Sequence, residues 1–167
     1  MPWCLTYHLL SESKMLKFFA ALASLHTIFL REHNRIVDEL KKKGGRVSEE
    51  DMFQQARRIN IAKWQHIVYS EWLPIIIGEN FAKKSRLRPH KWSYFSRYSI
   101  RTDPRIFSNF AGAAFRFGHS MVLGDIPTHD ENGNKRSRDF VDIFNNPRDL
   151  MRENFVGDLA RGYTKAM

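Results

Sequence analysis

The strongest constraint on the fold is a run of helical periodicity between Lys14 and Lys43. Phe18, Leu22, Leu25, Phe29, Ile36 and Leu40 recur at intervals of three, four or seven residues, the spacing that gathers side chains on one face of an α-helix. Ser11 and Ser13 are available as caps, and Gly44-Gly45 is a helix stop. The expected helix, from about residue 16 to 43, is well above the usual ~11–12 residues. A rival reading opens the same stretch. Lys14 and Lys17 flank Met15-Leu16, Phe18 to Ala23 is apolar, and Ala21-Leu22-Ala23 has the A-x-A form of a signal cleavage site. The apolar period continues past that point, so the helix is preferred and no convincing signal peptide is read.

Ser48-Glu49-Glu50-Asp51 looks like the next helix start, with a capping serine and acidic residues at the positive helix end. Phe53, Ala56, Ile59, Trp64, Ile67 and Val68 carry it to about Leu73, where Pro74 ends or kinks it. Ile75-Ile76-Ile77 reads as a short buried run, and residues 82–102 as an irregular basic and aromatic connection. Asp103-Pro104 suggests a third helix with Asp as cap and Pro in its first turn, running to about Leu123. Gly124 to Asp139 is read as loop, Phe140 to Phe144 as a short apolar segment, and Pro147 to Gly162 as a last helix. The expected fold is all-α with irregular connecting loops and no strand pattern.

Charge and cysteine content bound the chemistry. Twenty-seven Lys and Arg stand against 18 Asp and Glu in 167 residues, a net charge of +9. That balance suits nucleic acid, anionic lipid, anionic cofactors or acidic polymers and does not choose among them. The densest basic runs, Lys41 to Arg46, Lys83 to Lys91 and Lys135 to Arg138, read first as solvated ends and loops. Cys4 is the single cysteine, which excludes an internal disulfide and a cysteine zinc site. No apolar run approaches the ~20 residues that span a membrane. No G-x-S-x-G, P-loop or G-x-G-x-x-G is present.

The most informative segment is Ala111-Gly112-Ala113-Ala114-Phe115-Arg116-Phe117-Gly118-His119. Small residues permit close approach, of another helix in the common case or of a flat macrocycle. Arg116 and His119 are three apart and share a helix face. An imidazole can bind iron through one nitrogen while the other donates to an acceptor that fixes the ring. A guanidinium one turn away can pair with a propionate, and Gly118 leaves room beside the ring. The plainer reading is a packed histidine beside a surface arginine. His26 and His33 are seven apart, His66 lacks a ligand partner one turn away, and His129-Asp130 sits in a polar stretch, so these read as structural or solvated.

Five blocks in order resemble animal haem peroxidases, the family of myeloperoxidase and peroxidasin. They are Leu25 to Arg35 (LHTIFLREHNR), Gln55 to Ile59 (QARRI), Tyr69 to Gly78 (YSEWLPIIIG), Asp103 to Ile106 (DPRI) and Phe115 to Ser120 (FRFGHS). The style is similar to invertebrate members. The resemblance covers 22–167, read as part of such a domain on its proximal haem side, with 1–21 as a divergent N-terminal segment. It implies a mostly helical fold. It also implies haem as cofactor, with His119 as proximal iron ligand and Arg116 on a haem propionate, and oxidation of the haem by hydrogen peroxide. Further implied are an extracellular location and partners among matrix or the remaining parts of the domain, with no nucleic acid and no membrane.

The departures shape the expectation as much. The family carries G-D-x-R-x-x-E before the LHT block; counted back from His26, its arginine falls on Met15 and its glutamate on Phe18. The distal histidine with its calcium loop belongs upstream, and the asparagine that orients the proximal histidine beyond Met167. The family's calcium site is therefore not expected in this chain, and no catalytic residue is assigned. Haem binding with little peroxidase turnover, and a marginal haem-free fold exposing Phe110, Phe117 and Ala111–Ala114, follow from that reading. A second hypothesis is a non-catalytic basic helical module that binds acidic partners through its charge.

Overall fold

The computed structural model describes residues 20–44, 47–90, 99–144, 146, 148, 149, 152 and 154–165. Among these, residues 20–31 and 106–165 belong to one compact unit and those of 32–105 to another. The expected caps Ser11 and Ser13, the signal-like start of the first helix, Met15, Phe18 and Pro147 lie outside the described residues.

Helix α1, Ala20–Lys42, is the long helix the period requires. It ends at Gly44, whose φ of +73° is the left-handed conformation that closes a helix without a Cβ penalty. Its buried face follows the expected one in part: Ile36 is buried, Leu22, Phe29 and Leu40 are half-buried, and Leu25 is exposed. Ala20, Ala23, Ser24, Thr27 and Ile36 are buried, while Leu25 and Ile28 are exposed. Ser24 and Thr27 turn their hydroxyls back onto the Ala20 and Ala23 carbonyls, both at 2.8 Å, so that face closes with small, internally satisfied side chains.

In the second unit, α2 spans Glu49–Ile67 and starts as its sequence promises. The Ser48 hydroxyl accepts from the Asp51 amide at 3.1 Å, and Glu49, Glu50 and Asp51 occupy the first turn. The expected core positions Phe53, Ile59, Trp64 and Ile67 are exposed, and only Ala56 of the helix is fully buried. Glu32 receives both Arg35 and Lys63, tying α1 to α2. Those two cations hold its carboxyl at about 2, well below the ordinary value.

Pro74 neither ends the helix nor simply kinks it. Val68–Trp72 forms a π-turn, and α3, Leu73–Ile77, continues with the proline in its first turn. A proline has no N–H for the carbonyl four residues back, and here that acceptor belongs to Ser70. The Arg88 guanidinium donates to it instead and also pairs with Glu79 at 3.2 Å. Ile75 is 78% exposed while Ile76 and Ile77 are half-buried, so the isoleucine run is a helical segment lying partly at the surface rather than a buried run. Gly78, with φ +84°, turns the chain into α4, Glu79–Lys84.

The third expected helix, from Pro104 to Leu123, is not formed as one element. The Asp103 carboxylate accepts from the Arg105 amide at 3.0 Å and from its guanidinium at 2.7–2.9 Å. That local turn competes with a helix start, and the chain stays extended through Phe107. A short helix, α5, covers Ser108–Gly112. The path then breaks at Ala113 (φ −128°, ψ −73°) and resumes as a 3-10 helix over Ala114–Met121. Gly112 and Gly118 weaken α-helix propensity here, and exposed Phe107, Phe110, Phe115 and Phe117 supply no burial to offset it.

Residues 124–139 are likewise not a loop. β1, Asp125–His129, pairs antiparallel with β2, Lys135–Asp139, with Thr128 opposite Arg136. The connection closes on Asp130, which accepts the Asn134 amide and side chain at 2.8 Å, with Gly133 at φ +85°. Phe140–Ile143 forms α6, capped by the Asp139 carboxylate on the Val141 amide at 2.9 Å. The last helix, α7, runs Phe155–Lys165, starting later than expected. Ala20, Ile126, Ile143, Phe155 and Leu159 form one core, with Phe140 and Tyr163 against it; burial raises the Tyr163 phenol above its ordinary value. A Cβ on Gly162 would stand 2.0 Å from the Pro127 carbonyl oxygen, so helix and strand meet backbone to backbone. The fold is predominantly helical, as expected, with one hairpin added.

Candidate functional site

The segment carrying Arg116 and His119 is the 3-10 helix, whose three-residue turn stacks positions i and i+3 directly over each other. The sequence expectation that these two side chains share a face therefore holds through a tighter helix than the one expected. His119 Nδ1 lies 2.8 Å from the Arg116 carbonyl oxygen. A carbonyl can only accept, so Nδ1 carries the proton, and in the neutral ring Nε2 keeps the lone pair a metal needs. The backbone thus fixes ring orientation and tautomer, the service an acceptor performs for a ligating histidine.

Arg116 donates from Nε to the Ala111 carbonyl at 3.2 Å, which ties its guanidinium back toward α5. It forms no ion pair among the described residues, leaving its terminal nitrogens for an acid from outside. Space beside both is open. Nothing lies within 4 Å of where a Cβ would stand on Gly112 or Gly118. Phe110 and Phe115 pack ring to ring at 5.5 Å, and Phe117 and Met121 extend the same exposed apolar segment. An imidazole with a directed lone pair, a guanidinium one turn away with no ion pair among the described residues, and exposed aromatic side chains are of the kinds that suit the edge and face of a planar, acid-bearing macrocycle.

Other described histidines have surroundings of their own. His33 donates from Nε2 to the Phe53 carbonyl at 3.3 Å and stacks on that ring at 5.0 Å. His66 meets the Ser70 hydroxyl at 3.3 Å, and His26 is exposed on α1. His129 is buried at the end of β1 rather than in a polar loop, and its Nδ1 has no hydrogen-bond partner among the described residues. No group of three His, Cys, Asp or Glu side chains among the described residues could hold a metal ion. A single-histidine attachment of a metal carried by a macrocycle needs no such group.

One charged cluster escapes sequence reasoning. Asp149, fully buried, pairs with Arg138 at 3.0 Å and Arg152 at 3.0 Å. Nothing in the spacing of these three residues announces it, because the hairpin brings Arg138 to the α7 side of the unit.

Residues 13–167 match the sequence profile of the family described as animal haem peroxidase. The chain belongs to that family. It is 39% identical to the chorion peroxidase of Drosophila melanogaster over 142 residues, 84% of this chain and 18% of that protein. Heme peroxidase 2 of Caenorhabditis elegans is 42% identical over 113 residues, 68% of this chain and 16% of that protein. The structure of peroxidase A from Dictyostelium discoideum superposes with a TM-score of 0.66 at 28% identity, covering 84% of this chain and 25% of that one. The chain thus spans less than a fifth of the length of these two sequence relatives. Membership of the family implies haem as the family's cofactor. No helix among its described residues is long and apolar enough to cross a membrane.

Proposed function

We propose that this chain is a haem-binding part of a secreted peroxidase, with His119 as the iron ligand and Arg116 as the partner of a haem propionate. The observation that carries the reading is the bond from His119 Nδ1 to the Arg116 carbonyl, which leaves Nε2 as the lone-pair nitrogen. Family membership supplies the cofactor, and the unpaired Arg116 guanidinium supplies a counter-charge one turn away. Haem, when bound, would supply the iron at which peroxide is cleaved. The chain's own contribution would be positional: His119 would hold the metal, Arg116 would pair with the acidic edge, and Phe115, Phe117 and Met121 would offer apolar surface to the macrocycle.

Peroxide cleavage also asks for a base that moves a proton between the two oxygens and a cation for the developing charge. Met15 and Phe18 stand where the family motif has its arginine and glutamate, and neither side chain can titrate or carry charge. We therefore assign this chain haem binding with turnover near that of free haemin. The partners in this reading are haem, hydrogen peroxide and the parts of a longer domain or an extracellular matrix.

Haemin titration tests the assignment. The chain should give a saturable Soret shift typical of histidine ligation, lost in His119→Ala and restored by added imidazole. Arg116→Gln should weaken binding about tenfold while leaving the ligation spectrum unchanged. A spectrum and affinity unaltered in His119→Ala would sink the ligand assignment and favour a non-catalytic module that binds acidic partners through its net charge of +9.

A further inference from the structure

Arg31, Arg152 and Arg161 line one open surface pocket of about 140 Å³, together with Glu131, Asn154 and the first residues of α7, Phe155 to Gly157; Arg31, Arg152 and Glu131 are exposed. Its volume matches that of several water molecules, the size of a small hydrated anion. All of its walls belong to the unit built from the start of α1, the hairpin and α7. None of its residues belongs to the segment around His119.

The three arginines differ in what already engages them. Arg152 gives its Nε to Asp149, and Arg161 gives its Nε to the His129 carbonyl at 2.9 Å and one terminal nitrogen to Asp158. The other terminal nitrogen of Arg161 lies 3.3 Å from where a Cβ would stand on Gly157, over the first turn of the helix. Arg31 has no ion pair among the described residues. The Val156 and Gly157 amides belong to that first turn, where no intrahelical acceptor is available. Guanidinium groups and such amides present donors only, so the occupant must accept hydrogen bonds from several directions.

Glu131 adds a carboxylate to the wall. A carboxylate on the wall repels a fully deprotonated anion, yet it can accept a hydrogen bond from an occupant that retains one. Monohydrogen phosphate, or a phosphate monoester in its singly protonated form, offers both acceptors for the arginines and one O–H for Glu131. Sulfate at neutral pH offers acceptors alone. We propose that the Arg31–Arg152–Arg161 cavity is a site for a protonated phosphate group, independent of the proposed haem ligand.

Isothermal titration of the full chain with inorganic phosphate, glycerol phosphate and sulfate tests this. Saturable phosphate binding with a preference of about tenfold over sulfate is expected. Arg31→Gln, which breaks no ion pair among the described residues, should weaken phosphate about tenfold, whereas Arg101→Gln, the same charge change on an exposed turn, should not. Glu131→Gln should abolish the preference by admitting sulfate equally. Tighter binding of glycerol phosphate would identify the natural occupant as an esterified phosphate, and equal or weaker binding as the free ion. His119→Ala should leave every one of these values unchanged, which separates this site from the haem reading. Equal affinity for sulfate and phosphate in the unaltered chain, or equal losses in the Arg31 and Arg101 variants, would overturn the proposal in favour of unspecific attraction to a basic surface.

Discussion

The hairpin with α7 and the segment 106–123 lie in the same unit and are built on opposite terms. In the first, Ile126 and Leu159 are 1% exposed, the hairpin turn is closed by Asp130, and a glycine lets helix and strand touch through their main chains. In the second, Phe107 is 82% exposed, Phe115 59%, and the helix breaks at Ala113. One region has completed its own packing. The other displays the family's FRFGH block on a short 3-10 turn, with apolar side chains facing outward. Exposed apolar surface of that kind is what the proposed reading gives to haem. On that reading, the contrast separates what this chain needs in order to fold from what it offers to another molecule.

The sharpest way to break the comparison is to add the same methyl group to both regions. Gly162→Ala places a carbon against the Pro127 carbonyl and requires the backbone to move. A loss of about 3 kcal/mol or more is expected, at or beyond the upper end of ordinary overpacking. Gly118→Ala meets open space, so the haem-free fold should change by less than about 0.5 kcal/mol. Urea unfolding of both variants reads the difference, and similar losses would mean the two regions are packed alike.

Side-chain truncation is a milder version. Leu159→Ala should cost about 2–5 kcal/mol, the range for a buried leucine. Phe117→Ala, at a residue 45% exposed, should cost under about 0.5 kcal/mol without haem and weaken haemin binding when haem is present. If Phe117→Ala unfolds the haem-free chain, the aromatic segment belongs to the core after all.

The smallest expected effect is set by acid. The Arg105 guanidinium and amide hold the Asp103 carboxyl below its ordinary 3.8. The folded value is thus lower than the unfolded one, so the turn's contribution is complete above the ordinary value and fades as pH falls through the lowered one. Amide resonances of Arg105 to Phe107 should move on acidification from pH 5 toward 2, before those of Ile126 and Leu159. Simultaneous movement of both sets would tie the entrance of the exposed segment to the packed core.

What was legible in the sequence follows from how each element is specified. α1 and α2 are written in long apolar periods, and Ser48 in a cap whose geometry needs only four residues, so local chemistry suffices. The hairpin is not written that way. Its first strand alternates around a proline, its second is Lys-Arg-Ser-Arg-Asp with no apolar residue, and its burial comes from α7, far along the chain. Asp103-Pro104 misleads because Arg105 captures the aspartate before it can cap a helix. At the candidate site, Arg116 and His119 were legible as a pair from their spacing and family block. The direction of the imidazole proton was not, because it depends on a carbonyl whose position the 3-10 geometry sets. The arginine cavity was invisible for a similar reason: Arg31 and Arg161 meet only in three dimensions.

The Arg88 bond to Ser70 makes the second unit depend on residues that lie apart in sequence. Pro74 leaves a main-chain acceptor that the local helix cannot fill, and the group that fills it lies 18 residues further along the chain. The π-turn and the turn that carries the proline are therefore completed by tertiary structure rather than by the helix that contains them; without Arg88 the Ser70 carbonyl has only water to turn to.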